Sequence, residues 1–360
     1  MVQHRIPQLD AVRGLAILVV MAHNISPKYP VLHSEKWFRN GWMGVDLFFA
    51  LSGFLITGLL LDTKVSEGYF KNFYARRCLR IWPLYYALLF FMFVFVRFVS
   101  PSEYLDVVRT ASPWWAFPLF LQNFLLPVST NAAGPLAVTW SLAIEEQFYL
   151  FCAPLVRFCS SANLRRIAIV EICVSPALRY YLALDHVDLY TNVFCRLDAL
   201  MAGMLLALLV RSTNFAPLKF LNQAWILLIT TAPLALVAES YGARWITFTF
   251  TALASTAFIY VSMFSPQRWL QTALANRFLI YTGIISYGLY LLHKIPFGMV
   301  QMLHLDRRYS WLPLPFIIAM SYALAALSWN LLEKPLLGLK RFFGSRAVSR
   351  EDLASPTGEA

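Results

Sequence analysis

Two ionisable residues stand inside the first apolar stretch of the sequence, LDAVRGLAILVVMAHNI. Arg13 and His23 lie ten positions apart, which on an ideal α-helix is roughly 15 Å along the axis and roughly 80° around it. An arginine near a helix end can snorkel to lipid headgroups, and a lone histidine is as often a hydrogen-bonded core residue. The chemical alternative is a general base or nucleophile with a cationic oxyanion stabiliser. Asp10 is expected to pair with Arg13.

Three carboxylates occupy two other apolar stretches. Asp46 stands near the start of GWMGVDLFFALSGFLIT, and Glu145 and Glu146 stand in TWSLAIEEQFYLF. A carboxylate in hydrocarbon is costly, so each should face a cavity or a cation. Because the first two apolar stretches form a hairpin, Asp46 is a candidate partner of His23, where it would favour the imidazolium or fix the tautomer of a neutral ring.

The stretch around Glu145 also carries hydroxyl groups at helical spacing. Ser141 and Tyr149 are each four residues from Glu145 and share its face of a helix. This pattern predicts a polar stripe of serine, glutamate and tyrosine along one side of the span. The general cost of a buried carboxylate favours a functional interpretation of the stripe over a packing role.

Paired arginines precede the third apolar stretch, in FYARRCLRIWPLYY. Arg77 and Arg80 share a helix face at i,i+3, with Arg76 beside them. Guanidinium groups suit phosphate geometry, so one interpretation is an anion site facing the cytoplasm. The other is membrane topology alone, since short cytoplasmic loops are rich in lysine and arginine. Pro83 is expected near the start of the following span, where its missing N–H costs little.

A fifth stretch, FCRLDALMAGML, places Arg196 and Asp198 near the outer end of a span. Its small residues, which include Ala199 and Gly203, predict close helix packing, as does Gly53 in the second span. An ordinary structural membrane protein has little reason to bury so many ionisable side chains. Together they favour a bundle with a reaction chamber or a transport path. The predicted buried set is Arg13, His23, Asp46, Glu145, Glu146, Arg196 and Asp198.

Composition indicates the elements that must position these residues. The chain has 360 residues, of which 59% are hydrophobic and 14% charged, and its mean hydropathy is +0.58. These values predict an all-α integral membrane protein of about ten transmembrane helices. The net charge of +11 is spread over short loops, which disfavours a nucleic-acid partner. The five cysteines form no C-x-x-C pair, so neither a metal site nor a disulfide framework is expected.

The distribution of lysine and arginine predicts that both termini lie in the cytoplasm. The short aromatic stretch 114–127 is expected to be interfacial or re-entrant. Residues 1–340 are expected to form one membrane domain and 341–360 a short cytoplasmic tail, disordered and followed by no further domain. The predicted spans are 11–27, 42–61, 82–99, 137–157, 167–184, 192–210, 224–240, 245–264, 279–303 and 312–333.

The order of these motifs resembles that of the acyltransferase-3 family. The resemblance rests on LDAVRGLAILVVMAHN, GVDLFFALSGFLIT, FYARRCLRIWPLYY, WSLAIEEQFYL, SYGLYLLH and EKP, and covers residues 7–337. It implies a multi-pass enzyme of the bacterial inner membrane. Such enzymes transfer an acyl group, usually acetyl from acetyl-CoA, to a hydroxyl of a saccharide or glycolipid acceptor. Acetyl-CoA would be a co-substrate rather than a permanently bound cofactor.

The resemblance also implies roles for individual residues. Arg13 and His23 match the essential arginine and histidine of the family, and Glu145 matches the glutamate of its W-S-L motif. Arg77 and Arg80 match its paired arginines, and the expected donor phosphate site comprises Arg77, Arg80 and Arg76. We expect His23 to act as general base or nucleophile, oriented by Asp46 or Glu145. A secondary transporter or flippase with a proton relay is the alternative, and a structural scaffold fits the buried charges least.

Overall fold

The computed structural model of the chain describes residues 6–25, 36–95, 113–125, 131–185, 187–213, 215–302 and 313–343. Within these ranges the protein is all helical and contains no strand. We label the α-helices of seven residues or more α1 to α13. They are α1 (Pro7–Ile25), α2 (Gly44–Asp62), α3 (Tyr69–Phe90), α4 (Thr139–Phe158), α5 (Ser161–Leu184), α6 (Leu197–Val210), α7 (Leu221–Ser240), α8 (Arg244–Phe264), α9 (Arg268–Leu274), α10 (Arg277–Ile284), α11 (Ser286–Leu292), α12 (Lys294–Met302) and α13 (Pro313–Ser328).

Among the described residues, six helices are long and apolar enough to cross a membrane by length and composition. A seventh span arises if the bent pair Arg277–Ile284 and Ser286–Val300, which meet at 64°, is counted as one. The all-α membrane class is therefore confirmed, whereas six or seven spans, not ten, satisfy these criteria. The six are Pro7–Ile25, Asn40–Asp62, Ser161–Leu184, Pro217–Ser240, Arg244–Phe264 and Pro313–Phe343.

The three other predicted spans coincide with α3, α4 and α6. The basic residues of α3 and the two glutamates of α4 lower the apolar content of helices that are 22 and 20 residues long. Helix α6 has only 14 residues, because a 3₁₀ turn, Val193–Cys195, precedes it. These helices contain most of the polar residues that the sequence analysis selects.

Helix α3 begins at Tyr69, well before the predicted span start at residue 82. The paired arginines therefore lie within a helix rather than in a loop. The prediction that Pro83 lies in a first turn is wrong, because it stands inside α3. A proline removes one intrahelical hydrogen bond, but membrane helices tolerate it when neighbouring helices satisfy the freed carbonyl.

Two other segments bear on the predicted spans. The predicted continuous span 279–303 is interrupted at Ile285 and His293, between α10, α11 and α12. In the described part of 114–127, a 3₁₀ turn (Trp114–Ala116) and a four-residue helix (Gln122–Leu125) are too short to cross a bilayer. This agrees with an interfacial or re-entrant segment.

Helix α2 lies at the centre of the bundle, where it packs against α1, α4, α6 and α8. Its approach to α6 depends on glycine. A Cβ on Gly53 would lie 2.0 Å from the backbone oxygen of Leu200, and one on Gly203 would lie 2.1 Å from that of Ala50. The predicted small-residue contact is therefore confirmed.

The chain beyond α13 forms what we call the C-terminal segment, residues 329–343. It comprises a π-helical turn (Trp329–Glu333), a short α-helix (Lys334–Gly338) and a 3₁₀ turn (Leu339–Phe343). All three parts pack against α3. Of the tail predicted to be disordered, residues 341–343 belong to this 3₁₀ turn, and 344–360 lie outside the described residues.

Candidate active site

A cavity of about 110 Å³ lies among α1, α2, α3, α4 and α11. It has room for several water molecules. One wall is apolar and includes Phe48, Phe49 and Leu142, and the remainder is polar. The polar lining consists of Arg13, Ser52, Arg77, Arg80, Ser141, Glu145, Tyr149, Ser286, Tyr287 and Tyr290. Four of the seven site residues predicted from the sequence thus face one space.

The polar stripe predicted on α4 is present. Ser141, Glu145 and Tyr149 all line the cavity, and the Tyr149 hydroxyl donates to Glu145 Oε2 at 2.6 Å. The Ser141 Oγ lies 2.5 Å from the hydroxyl of Tyr290 on α11. The stripe therefore fixes a carboxylate at the cavity wall and ties α4 to α11.

Arg77 and Arg80 line the cavity together, as their i,i+3 spacing predicts. The Arg77 guanidinium lies 5.9 Å from the ring centroid of Tyr149, and its buried Nε lacks a hydrogen-bond partner. Within the described chain, neither arginine has a carboxylate within ion-pair distance. Two cations that face an internal space, with no carboxylate at ion-pair distance, form a site suited to an anion.

Arg76 does not share this position. It lines a separate depression of about 10 Å³, together with Thr63, Tyr69 and Phe73. Its buried Nε also lacks a hydrogen-bond partner. The structure thus separates Arg76 from the two arginines with which the sequence analysis grouped it, because successive residues point about 100° apart on a helix.

Arg13 on α1 lines the cavity. Its Nη1 is 3.3 Å from Asp10 Oδ1, and its side chain is 23% exposed. The predicted pairing of Asp10 with Arg13 is confirmed. Because the arginine keeps access to the cavity, this ion pair orients the guanidinium without enclosing it.

His23 occupies the opposite end of α1 and is not among the residues that line the cavity. Helix α1 is uninterrupted between Arg13 and His23, so no bulge brings them to one face. Arg13 and His23 therefore lie in different places. The His23 Nδ1 lies 3.1 Å from the backbone oxygen of Phe38. When Nδ1–H donates to this carbonyl, Nε2 carries the basic lone pair.

Asp46 is engaged elsewhere than predicted. Its Oδ1 lies 2.9 Å from Nη2 of Arg196, and both side chains are 0% exposed. Glu145, the other proposed partner of the imidazole, accepts from Tyr149 instead. The hydrogen bond that holds the His23 Nδ1 therefore comes from the main chain. Asp46 also lies outside the cavity lining.

The buried Arg196 is enclosed by aromatic rings. Its guanidinium carbon lies 4.1 Å from the ring centroid of Phe248, 5.3 Å from that of Tyr190 and 5.7 Å from that of Phe49. Such cation–π contacts stabilise a desolvated arginine. Phe49 also lines the cavity, so the ion pair lies directly behind one of its walls.

A second buried ion pair involves a residue that the sequence analysis did not select. Arg179 on α5 lies 2.9 Å from Asp198 Oδ2 and donates to the backbone oxygens of Cys195 at 2.6 Å and Trp245 at 2.8 Å. It also donates to the hydroxyl of Thr249. A single arginine in an apolar stretch looks like a snorkelling residue, and nothing local in the sequence marks its distant partners.

Known proteins resemble this chain along most of its length. A putative O-acetyltransferase of Staphylococcus aureus (strain COL) is 26% identical over 92% of the chain. The peptidoglycan O-acetyltransferase of Listeria monocytogenes is 26% identical over 92%, and a putative peptidoglycan O-acetyltransferase of Bacillus subtilis is 27% identical over 96%. The chain spans 56–57% of the length of each of these relatives. No solved structure matches it.

The family comparison agrees with the motif order. The sequence profile of the acyltransferase-3 family, described as an acyltransferase domain, matches residues 6–331. That range includes α1 to α13 and every residue that lines the cavity. The chain therefore belongs to the acyltransferase-3 family.

Proposed function

We propose that this protein is a membrane O-acyltransferase that moves an acetyl group from acetyl-CoA to a hydroxyl of a glycan acceptor. The observation that carries the proposal is the cavity in which Arg77 and Arg80, without carboxylate partners in the described chain, face the Glu145–Tyr149 pair. The names of the Listeria and Bacillus relatives support a peptidoglycan-like acceptor. The acceptor and its acetylated hydroxyl belong to the proposal.

The two cavity arginines form the donor site. Charge-assisted hydrogen bonds from guanidinium to phosphate match the coenzyme A pyrophosphate. The phosphates would lie against Arg77 and Arg80, and the pantetheine arm with its thioester would extend from them along the cavity. Glu145 balances part of the arginine charge, and the pantetheine arm passes Arg13 on its way towards His23.

His23 supplies the proton transfer. Its Nε2 takes the proton of the acceptor hydroxyl as that oxygen forms the new ester bond to the acetyl carbonyl carbon. The carbon–sulfur bond then breaks, and the imidazolium returns a proton to the departing thiolate. The Phe38 carbonyl holds Nδ1–H throughout. In the nucleophilic variant of this mechanism, Nε2 accepts the acetyl group first and the acceptor hydroxyl removes it.

The proposal includes a membrane arrangement. Helices α3, α4 and α6 cross the bilayer within the bundle and complete ten spans, with both termini in the cytoplasm of a bacterial inner membrane. Helices α4 and α6 pack against the central α2, so their polar residues need not face lipid. Arg77 and Arg80 then lie on the side where acetyl-CoA is available.

Steady-state kinetics of the purified protein in nanodiscs test the proposal. Release of the coenzyme A thiol is followed in the presence of peptidoglycan fragments. Arg77→Gln and Arg80→Gln should each raise KM for acetyl-CoA at least about tenfold, because each removes a charged hydrogen bond. His23→Ala should abolish turnover without changing Tm. The matched control is Lys71→Gln, which removes an exposed charge from the same helix.

Two outcomes would refute parts of this account. Normal turnover by His23→Ala eliminates the histidine mechanism. If KM and kcat of both arginine variants equal those of the Lys71 control, Arg77 and Arg80 do not bind the donor. Their positive charges would then serve membrane topology alone.

The bent pair α10 and α11 favours a second candidate, a secondary transporter, because broken spans line many transport paths. Transporters with inverted repeats usually carry such breaks in both halves. One bent pair is present in the described residues. Glycan uptake into proteoliposomes without acetyl-CoA consumption would support this alternative.

A further inference from the structure

Three half-buried basic residues on the inner side of the described bundle have a partner. Arg157 donates to the backbone oxygen of Lys64, and Lys64 Nζ donates to that of Cys159 at 2.6 Å. Arg13 pairs with Asp10. Each of these three cations therefore has a partner within the protein and needs no ligand.

Lys340 in the C-terminal segment is different. It is half-buried, and its 3₁₀ turn packs against α3, the helix that carries the paired arginines. Its ammonium interacts electrostatically with Arg80, Arg77, Arg76 and Arg13. Within the residues that the structure describes, it forms no ion pair and no hydrogen bond with a carboxylate.

Like charges held near one another destabilise a fold unless an anion lies among them. Arg76, Arg77 and Arg80 belong to α3, whereas Lys340 belongs to a 3₁₀ turn far along the chain. Because that turn packs against α3, tertiary packing adds the charge of this lysine to the charges of the helix.

We propose that Lys340 is a donor-binding residue, and that the C-terminal segment closes the coenzyme A phosphate site on the side opposite Arg77 and Arg80. This inference rests on the proposed function. The ligand chemistry is a group of neighbouring phosphates rather than a single one, because Arg77 and Arg80 line the cavity together and Lys340 adds a third charge that interacts with both. A coenzyme A nucleotide, with its pyrophosphate and 3′-phosphate, provides that group.

The exposed Lys334, in the same segment, provides a matched control for loss of one positive charge. KM and kcat for acetyl-CoA are measured for Lys340→Gln, Lys340→Arg and Lys334→Gln in phosphatidylcholine nanodiscs. Lys340→Gln should raise KM about tenfold, the effect of one lost charged hydrogen bond, at unchanged kcat. Lys340→Arg should restore KM, and Lys334→Gln should match the parent protein.

Acetyl-pantetheine, which lacks the nucleotide, separates phosphate binding from a general effect on the site. Lys340→Gln should not change its KM. A structural role for Lys340 predicts a lower Tm for the ligand-free variant, whereas release of like-charge repulsion predicts an equal or higher one. A lower Tm, or equal KM for Lys340→Gln and Lys334→Gln, overturns the proposal.

A lipid headgroup is the other source of phosphate. If KM of Lys340→Gln is normal in phosphatidylcholine and only binding of phosphatidylglycerol falls, Lys340 binds lipid and the donor assignment is wrong. Failure of the proposed function has a different signature, because the parent protein itself would then neither bind nor consume acetyl-CoA.

Discussion

Replacing Asp46 by asparagine tests the role of the buried ion pair. The change keeps the size of the side chain and removes its charge, leaving the Arg196 guanidinium fully buried without its carboxylate at 2.9 Å. Removing one partner of a buried pair destabilises a protein by about 3–5 kcal/mol. The Phe248 ring, 4.1 Å from the guanidinium carbon, remains and offsets part of this cost. We expect a loss of about 3 kcal/mol.

The double variant gives the sharper measurement. Arg196→Met alone leaves a buried carboxylate without its cation, whereas Asp46→Asn with Arg196→Met leaves neither charge. The double variant should therefore lose less stability than the sum of the single variants, by at least about 2 kcal/mol. Denaturant unfolding in detergent, followed by tryptophan fluorescence, measures the cycle because Trp42 and Trp140 lie beside Arg196.

The acetyl-transfer activity of the same variants shows whether the Asp46–Arg196 pair is structural or takes part in catalysis. If Asp46 acts only through Arg196, the double variant should regain stability and acetyl transfer together. A double variant that is stable but inactive would show that Asp46 takes part in the chemistry. Additive losses of stability in the two single variants would refute the ion-pair reasoning itself.

Two other expectations concern the cavity and the centre of the bundle. Tyr149→Phe should lower kcat about tenfold with Tm nearly unchanged, since the Glu145 carboxylate loses the donor at 2.6 Å that fixes it; unchanged kinetics would contradict a role for this hydrogen bond. Gly53→Ala should cost about 1–3 kcal/mol in unfolding experiments, because its Cβ would meet the Leu200 oxygen at 2.0 Å. Gly298→Ala, where a Cβ meets nothing within 4 Å, is the control, and equal stability of the two variants would contradict the packing argument.

The parts of the site that the sequence predicts are those that depend on local spacing. Ser141, Glu145 and Tyr149 form their stripe because residues four apart share a helix face. Arg77 and Arg80 meet the same cavity for a similar reason. Once a stretch is known to be helical, such relations follow from 3.6 residues per turn without any tertiary information.

The parts that the sequence does not predict depend on contacts between distant helices. Asp46 and Arg196 are 150 positions apart, and no local pattern distinguishes this partner from His23. Arg179 looks like a snorkelling arginine until α5, α6 and α8 are assembled around it. The predicted span 82–99 follows the apolar residues alone, whereas α3 begins at Tyr69 and includes the preceding polar residues.

Helix α1 runs without a break from Arg13 to His23. A rigid rod of this kind holds the two groups roughly 15 Å apart, so the protein cannot bring them together by bending. Under the proposed function, the flexible pantetheine arm of acetyl-CoA must therefore cover the distance between these two side chains. The acetyl group, still attached to coenzyme A, would then cross the interior of the bundle while the helices keep their positions.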